Sequence, residues 1–251
     1  MDLKIKGKRA LITGASHGLG RAVARILAAE GARICAVARD TGQLGTLLDE
    51  MGGEEQGHIA AALDLTAQDA IPALCDRVTG WGDFDIIVHN LGGTLGIRDP
   101  LGEAGDFHKV WYFNLGIALE INRLFIPAMQ RGGWGRIVHV SSSSAVMADA
   151  SLAYSSAKAA VNTYVKGLGR EMAKYGIIVT AIMPGPFIAP GGHWENVARN
   201  DPERYRSFAN ERMAVKRLGE PGEIGQIIAM LCSEHASFMA GAVVPVDGGI
   251  R

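Results

Sequence analysis

The chain has 251 residues, of which 48% are hydrophobic and 20% charged, and its formal net charge is −1. This length allows one large domain with a sizeable core, and the near-zero charge excludes the basic surface that nucleic-acid binding needs. No apolar run approaches the roughly 18 residues of a membrane-spanning helix, and residues 1–9 lack the apolar core of a signal peptide. Three cysteines, Cys35, Cys75 and Cys232, stand far apart among apolar neighbours. We expect buried thiols, no metal site and a cytoplasmic protein.

Short apolar runs alternate with amphipathic stretches along the chain, which is typical of βαβ units and a parallel sheet. Most runs are nearly continuous, as expected for strands buried on both faces. Strands are predicted at Arg9–Thr13, Arg33–Ala38, His58–Leu63, Phe84–His89, Arg136–Val140, Ile177–Met183 and Ala242–Val246. Helices are predicted at Leu19–Glu30, Ala67–Thr79, Phe107–Met129, Ala153–Tyr175 and Glu223–Ser233. We expect one α/β domain over residues 1–251, with a doubly wound sheet of about seven strands and helices on both faces.

One segment interrupts this alternation. Between Met183 and Arg217 the chain is rich in proline, glycine and charged residues. Connections of this length are usually lids or binding loops. We predict a mobile, variable substrate loop at about residues 186–215, with one short helix near Pro202–Arg212.

This loop carries side chains that could contact a substrate. His193 and Trp194 either line a pocket or serve in packing. Four arginines either attract an anionic group or form a solvated helix face that alternates with glutamates. These arginines are Arg199, Arg204, Arg206 and Arg212.

The first predicted strand runs into a glycine-rich turn, and a helix follows. Gly14, Gly18 and Gly20 are spaced by four and two residues. Such glycines permit a tight turn and a close backbone approach to a phosphate, and the helix N-terminus adds free N–H groups and the positive end of its dipole. In this strand–loop–helix context the motif predicts a dinucleotide-binding site.

Tyr154 and Lys158 stand four residues apart in a predicted helix, so they share one face. A serine cluster, Ser141 to Ser144, precedes them. A nearby ammonium lowers the pKa of a phenol from about 10, and a tyrosine tuned in this way can act as a general acid or base. We therefore predict that Lys158 lowers the pKa of Tyr154. Taken alone, the pair also fits an ordinary helix surface.

Together these features resemble the short-chain dehydrogenase/reductase family in its compact single-domain form, with a Rossmann-type sheet. The resemblance extends from Lys8 to Gly249. It is carried by the Thr-Gly-x-x-x-Gly-x-Gly loop of Thr13 to Gly20, Asp64-Leu65, Asn90, Asn114, the serine cluster with Tyr154-x-x-x-Lys158, Pro184-Gly185, and Val246-Asp247-Gly248-Gly249.

The resemblance implies hydride transfer between a nicotinamide ring and a carbon that bears oxygen. Tyr154 would give or take the proton, Lys158 would hydrogen-bond the nicotinamide ribose, and Asn114 would hold a water that passes protons to Lys158. A serine would orient the substrate oxygen. The usual spacing to the tyrosine selects Ser141, whereas the position relative to the preceding strand favours Ser142. The implied cofactor contacts are Gly14, Ser16, His17, Gly18, Leu19, Gly20, Arg39, Asp64, Leu65, Asn90, Gly92, Tyr154, Lys158, Pro184, Gly185 and Phe187.

The end of the second predicted strand bears on the choice of cofactor. Ala38 stands where NAD-preferring relatives usually have an aspartate, and Arg39 follows at once. An acid would bind the ribose 2′-hydroxyl, whereas an arginine would pair with a 2′-phosphate. We expect NADPH. NAD stays open, because Asp40 is adjacent and His17 replaces an arginine often found in the glycine loop of NADP enzymes.

Two positions depart from the family pattern. Asn-Asn-Ala-Gly reads Asn90-Leu91-Gly92-Gly93 here, so an amide that helps pin the fourth strand is absent. A threonine hydroxyl that often touches the cofactor is absent at Ala189.

The expected function is that of an NADP(H)-dependent oxidoreductase acting on a small or medium substrate, such as a 3-oxoacyl thioester or a keto sugar. One alternative is an NAD-dependent alcohol or polyol dehydrogenase. Another is a catalytically silent cofactor-binding sensor or scaffold, against which the intact Tyr154, Lys158, Asn114 and serine argue. The resemblance also implies a homo-oligomer, a dimer or homotetramer, assembled through the two long helices and the C-terminal strand. No nucleic-acid or membrane partner is expected.

Overall fold

The structure is a computed structural model that describes all residues from Met1 to Arg251. Seven strands form one parallel sheet in the order β3-β2-β1-β4-β5-β6-β7. This confirms the predicted doubly wound sheet. The strands are β1 Arg9–Thr13, β2 Arg33–Ala38, β3 Ile59–Ala62, β4 Ile86–His89, β5 Gly135–Val140, β6 Ile177–Pro184 and β7 Val243–Val246.

Helices connect the strands and cover both faces of the sheet. The helices are α1 Gly18–Ala29, α2 Thr41–Glu50, α3 Ala70–Val78, α4 Ala104–Trp111, α5 Ile117–Gly132, α6 Ser144–Met147, α7 Leu152–Met172, α8 His193–Asn200, α9 Pro202–Arg212 and α10 Pro221–Leu231. Short 3₁₀ turns occupy Glu54–Gln56, Ala173–Tyr175 and Glu234–Ala236. None of the helices combines the length and the apolar character that crossing a bilayer would demand.

Strand side chains alternate between two cores. On one face, α1, α2 and α10 pack over strand residues such as Ile12, Ile34 and Val88. On the other face, α3, α5 and α7 pack over residues such as Leu11 and Ile137. Because a parallel sheet is buried on both faces, its strands are mostly apolar, which is why their positions could be predicted closely.

The helix predicted at Phe107–Met129 is found as one helical stretch from Ala104 to Gly132, but it is not α-helical throughout. It consists of α4, a π-helical turn at Tyr112–Gly116 and α5. A π turn is wider than an α turn, and such turns are frequent at functional sites. Here the turn contains Asn114, whose side-chain Nδ2 donates to Val110 O at 2.8 Å.

Three helices were not predicted: α2, α8 and the single turn of α6, which begins at the last residue of the serine cluster. α2 follows Asp40, whose carboxylate accepts a hydrogen bond from Gln43 N at 3.0 Å as the N-cap. α8 occupies part of the segment that was predicted to be irregular, where only the helix near Pro202–Arg212 was expected. The segment is therefore more ordered than its composition indicates, because Trp194 of α8 packs against Phe208 of α9, with ring centroids 4.2 Å apart.

Candidate active site

The strand order reverses between β1 and β4, which leaves a crevice at the carboxyl ends of these strands. Thr13 and Asn90 tie the two ends together. The Asn90 amide donates to Thr13 O at 3.0 Å and Gly14 O at 3.1 Å, and the backbone N–H groups of Asn90 and Leu91 both donate to Thr13 Oγ1 at 3.1 Å. The amide expected to be lost at Leu91 is not needed for this clamp, since Leu91 contributes its backbone and packs its side chain on the core.

The glycine loop leaves no room for larger residues. Gly14 and Gly18 have left-handed φ values of 66° and 52°, and a Cβ on Gly20 would lie 2.2 Å from Gly14 O. His17, the N-cap of α1, makes no side-chain cap hydrogen bond, so it leaves the first N–H groups of the helix free for an anion. Ser16 Oγ and His17 Nδ1 lie 2.8 Å apart. This cradle fits the pyrophosphate of a dinucleotide.

Arg21 supports the loop and was not singled out from the sequence. Its guanidinium donates to Ser16 O at 3.2 Å, to Gln43 O at 2.9 Å and to Glu50 Oε1 at 2.8 Å. The contacts join the glycine loop to α2. Only the fold shows this role, because Gln43 and Glu50 are distant from Arg21 in sequence.

Tyr154 and Lys158 lie on α7 and face the cleft, as predicted. Lys158 is 2% exposed, donates from Nζ to Val140 O at 2.6 Å, and lies 5.6 Å from the centre of the Tyr154 ring. Among the serines, Ser142 interacts with the Tyr154 hydroxyl. Ser141 is buried, and its Oγ donates to Lys158 O at 3.2 Å. The geometry therefore places Ser142 at the phenol and Ser141 behind the helix backbone.

The predicted acidification of Tyr154 by Lys158 is wrong in this structure. Burial raises the pKa of Tyr154, and a hydrogen bond with Ser142 partly offsets this effect. Burial also lowers the pKa of Lys158 from 10.5 to about 7, because a low-dielectric site disfavours the ammonium. The residue that is tuned toward neutrality is thus the lysine and not the tyrosine.

Asn114 is held by the backbone of the β4–α4 connection. Its Oδ1 accepts from Gly93 N at 3.0 Å, and its Nδ2 donates to Gly93 O at 2.8 Å. Gly92 fills the narrow space between Asn114 and Lys158, since a Cβ there would lie 2.6 Å from Asn114 Oδ1 and 2.9 Å from Lys158 Nζ. The amide is therefore committed to protein partners beside the lysine.

Arg39 and Asp64 follow β2 and β3 at the same edge of the sheet. Arg39 is exposed, and its Nη1 lies 3.9 Å from Asp64 Oδ2. Hydrogen bonds from Thr66 lower the pKa of Asp64, and Arg39 adds to this effect. Asp40, which had left NAD open, is occupied as the N-cap of α2.

A cleft of about 980 Å³ lies above Tyr154. The predicted site residues that line it are His17, Gly18, Leu19, Asn90, Gly92, Ser142, Tyr154, Lys158, Pro184, Gly185 and Phe187. The predicted residues outside its lining are Gly14, Ser16, Gly20, Arg39, Asp64, Leu65 and Asn114, which lie in the glycine loop, after β2 and β3, and in the π turn. His193 and Trp194 line the cleft, and Trp194 also packs against Phe208, so both predicted roles are found for it. Ala189 lies in the lining and would contact a Cβ on Gly18 at 3.3 Å.

Three lining side chains were not singled out from the sequence. Arg98 comes from the β4–α4 connection, Asp149 from the α6–α7 connection, and Phe208 from α9. Of the four arginines noted in the predicted loop, only Arg204 lines the cleft. The structure contains no group of three or more side chains placed to hold a metal ion.

The chain is similar to known oxidoreductases over nearly its whole length. The family model described as enoyl-(acyl carrier protein) reductase matches residues 14–251. The 3-oxoacyl-[acyl-carrier-protein] reductase FabG of Vibrio cholerae is 32% identical over 253 residues, which cover 99% of each chain. The oxidoreductase UcpA of Salmonella typhimurium is 35% identical over 257 residues, which cover 98% of this chain and 95% of UcpA.

A solved structure agrees over the whole chain. L-Sorbose reductase of Gluconobacter frateurii, complexed with NADPH and L-sorbose, has a TM-score of 0.90 and 31% identity. The match covers 100% of this chain and 98% of the reductase. The sequence and the fold therefore both match oxidoreductases over nearly the whole chain.

Proposed function

The chain belongs to the short-chain dehydrogenase/reductase family of NAD(P)-dependent oxidoreductases, and from this premise we propose that it uses NADPH to reduce the carbonyl group of a small or medium substrate. The observation that carries the proposal is the position of the Tyr154 phenol. It faces the cleft, interacts with Ser142 and precedes Lys158 by one helical turn. The same cleft is lined by Gly18 and Leu19 of the glycine loop.

When bound, the nicotinamide cofactor supplies the hydride. Tyr154 donates its hydroxyl proton to the substrate oxygen, and Ser142 hydrogen-bonds that oxygen to orient it. A phenol whose pKa is raised stays protonated at neutral pH. The phenol is therefore in the form that can donate a proton to a carbonyl oxygen.

Lys158 would return the proton to Tyr154. With a pKa of about 7, its amine is divided between protonated and neutral forms near neutrality, so it can both accept and give a proton. Asn114 and Gly93 fix the backbone next to this amine. Asn114 thereby acts as a positioning residue, and a water beside it would pass protons to Lys158.

The preference for NADPH is supported by the edge of the sheet beyond the glycine loop. Gly14, Gly18 and Gly20 would hold the pyrophosphate, and Asp64-Leu65 would flank the adenine. Arg39 is exposed at the end of β2 and can reach a 2′-phosphate, while the carboxylate of Asp40 is turned to its N-cap partner. Pro184-Gly185 and Phe187 line the cleft where the nicotinamide end, which NADPH and NADH share, would lie.

We further propose that residues 186–215 select the substrate and that the protein is a cytoplasmic homo-oligomer. α8 and α9 lie in this segment and contribute Trp194, Arg204 and Phe208 to the cleft. A 3-oxoacyl thioester or a keto sugar is compatible with the relatives, whose names include a 3-oxoacyl reductase and a sorbose reductase. A tetramer would use α5, α7 and β7.

The test measures NADPH binding and NADPH oxidation with a panel of carbonyl compounds. Tyr154→Phe should bind NADPH as the parent does and lose turnover, whereas Tyr175→Phe, an exposed tyrosine outside the cleft, should keep turnover. Turnover of alcohols with NAD alone would support the polyol dehydrogenase alternative. NADPH binding without turnover of any compound would favour a sensor or scaffold.

A further inference from the structure

The charges that line the cleft are unbalanced. Asp149 is its only lining carboxylate, whereas Arg98 and Arg204 both line it. Lys158 is a third basic group, but its amine is committed to Val140 O and Tyr154. The balance therefore depends on whether Asp149 is free to neutralise the arginines.

Asp149 is already satisfied by other partners. Its Oδ1 accepts a hydrogen bond from Ser144 Oγ at 2.8 Å, and its Oδ2 lies 3.5 Å from Arg212 Nη2. Arg212 does not line the cleft. The carboxylate is thus paired with a cation outside the cleft, which leaves the two lining arginines uncompensated.

Two arginines near the cleft, one in α8 and one after α9, have carboxylate partners, whereas the two lining arginines have none. Arg199 pairs with Glu195 at 3.5 Å, and Arg217 pairs with Glu223 at 2.6 Å. Neither Arg98 nor Arg204 has a carboxylate oxygen within 4.0 Å. A guanidinium keeps its charge at any working pH, and its planar fork fits a carboxylate or a phosphate.

Arg204 is an exposed residue of α9 that lies at the cleft. Phe208 follows it by four residues on α9, so both side chains share the helix face that meets the cleft. The Phe208 ring packs on Trp194 of α8. Arg206 lies two residues further along α9, has no salt bridge and does not line the cleft.

We propose that the substrate is a small anion whose carboxylate or phosphate is bound by Arg204 and Arg98, with its carbonyl oxygen at Tyr154. The inference rests on the proposed oxidoreductase function and narrows its substrate class. The glycine loop supplies the site for the cofactor pyrophosphate, so the two arginines are not needed there. A cleft of about 980 Å³ must hold the nicotinamide end of the cofactor as well, which limits the acid to a small molecule.

The test uses three six-carbon probes with the NADPH-loaded protein: sorbitol, gluconate and sorbitol 6-phosphate. These hydroxylated compounds are not reduced by NADPH, so their binding is measured without turnover. At least one anion should bind about tenfold or more tightly than sorbitol, as expected for a charged hydrogen bond. Whichever anion is preferred identifies the group as a carboxylate or a phosphate.

Matched variants on one helix show whether the preference depends on the cleft. Arg204→Gln should remove the preference while NADPH binding, measured in parallel, stays at the level of the parent. Arg206→Gln should keep the preference. The inference is overturned by sorbitol binding as tightly as both anions, by no probe binding, or by equal losses in the two variants. If NADPH itself does not bind, the proposed function fails too, whereas NADPH binding without anion preference removes only this inference.

Discussion

His89 and His139 lie against each other in the core, at paired positions of β4 and β5, with ring centroids 4.5 Å apart and ring planes inclined by 37°. His89 Nε2 is 2.8 Å from Asn122 Oδ1, and Asn122 Nδ2 is 3.1 Å from Tyr164 OH. Burial lowers the pKa of His89 to about 4 and that of His139 well below its usual value, and His89 and Lys158 add to the effect on His139. The folded protein therefore requires two neutral imidazoles side by side.

This pair predicts acid sensitivity. The folded pKa values are depressed, so the unfolded chain binds more protons below about pH 6.5, and stability falls as pH drops from there to about 4. For His89 alone, the shift from 6.5 to about 4 corresponds to roughly 3 kcal/mol. Urea unfolding at several pH values across this window should show the free energy of unfolding decreasing with acid.

A variant can assign the effect to the pair. His89→Asn should flatten the pH dependence, although it lowers stability at neutral pH because it leaves a cavity. His108→Asn changes an exposed histidine of α4 and should leave the curve as in the parent. Equal pH dependence in all three proteins would show that other groups cause the acid loss.

The two adjacent serines should separate in their effects on catalysis. Ser142→Ala should lower kcat about 100-fold and move the pH profile of kcat to higher pH, because the hydrogen bond that lowers the pKa of Tyr154 is lost. Ser141→Ala removes only the bond to Lys158 O and should mainly reduce thermal stability. Steady-state rates across pH and thermal melts of both variants check this. The reverse ranking would assign the substrate contact to Ser141.

Gly92 should be essential for the geometry next to Lys158. Gly92→Ala would insert a Cβ 2.6 Å from Asn114 Oδ1 and 2.9 Å from Lys158 Nζ, so both side chains must move. A displacement of about 1 Å at a reacting group can lower the rate about 100-fold. Gly105→Ala, in α4 with open space around it, should leave kcat/KM unchanged. Unchanged activity in Gly92→Ala would show that the two side chains relax without consequence.

Much of the fold could be predicted because its signals are local. Strands buried on both faces are mostly apolar, so β2 was placed at its observed bounds. α2 was missed because Gly42 and Gly45 weaken its helical pattern, and the N-cap at Asp40 was not recognised. α8 was missed because Trp194 and Val197 are nearly its only apolar residues, and its stability comes from packing on α9.

The site was predictable in part for the same reason. The glycine loop and the pair Tyr154 and Lys158 are spaced along single elements, so the sequence shows them directly. Arg98 and Asp149 come from loops whose positions depend on tertiary packing, and no sequence pattern predicts that both line the cleft. The pKa of Tyr154 was predicted in the wrong direction, because burial raises it and burial is not visible in a helix pattern. The lowered pKa of Lys158 has the same cause and was not predicted.

The preference for NADPH should depend on Arg39. Arg39→Gln should lower kcat/KM for NADPH about tenfold or more and leave that for NADH nearly unchanged, because only NADPH offers a 2′-phosphate to the guanidinium. Asp40→Ala is the neighbouring control. It should leave the preference intact and lower stability by about 1 kcal/mol through loss of the α2 cap. A preference that follows Asp40 instead would contradict the assignment of Arg39.

Burial of the Lys158 amine should lower the free energy of unfolding, although catalysis needs this residue. Its pKa is lowered from 10.5 to about 7, so the unfolded chain binds the extra proton between these values and stability falls as pH drops through that range. Lys158→Met removes the titrating group and keeps an apolar stem of similar length. The shift from 10.5 to about 7 corresponds to at most roughly 5 kcal/mol of stability. We expect the variant to be inactive and to gain only about 1–3 kcal/mol at neutral pH, because Val140 O loses its hydrogen-bond donor.

Urea unfolding of Lys158→Met and the parent between about pH 7 and pH 10 gives the check, since the advantage of the variant should shrink as pH rises. Lys166→Met provides the control, because Lys166 is exposed on the same helix and should change neither activity nor the pH dependence. A Lys158→Met protein less stable than the parent at neutral pH would mean that the hydrogen bond to Val140 outweighs the cost of burying the amine. Lys158 would then stabilise the fold, and its retention would need no catalytic explanation.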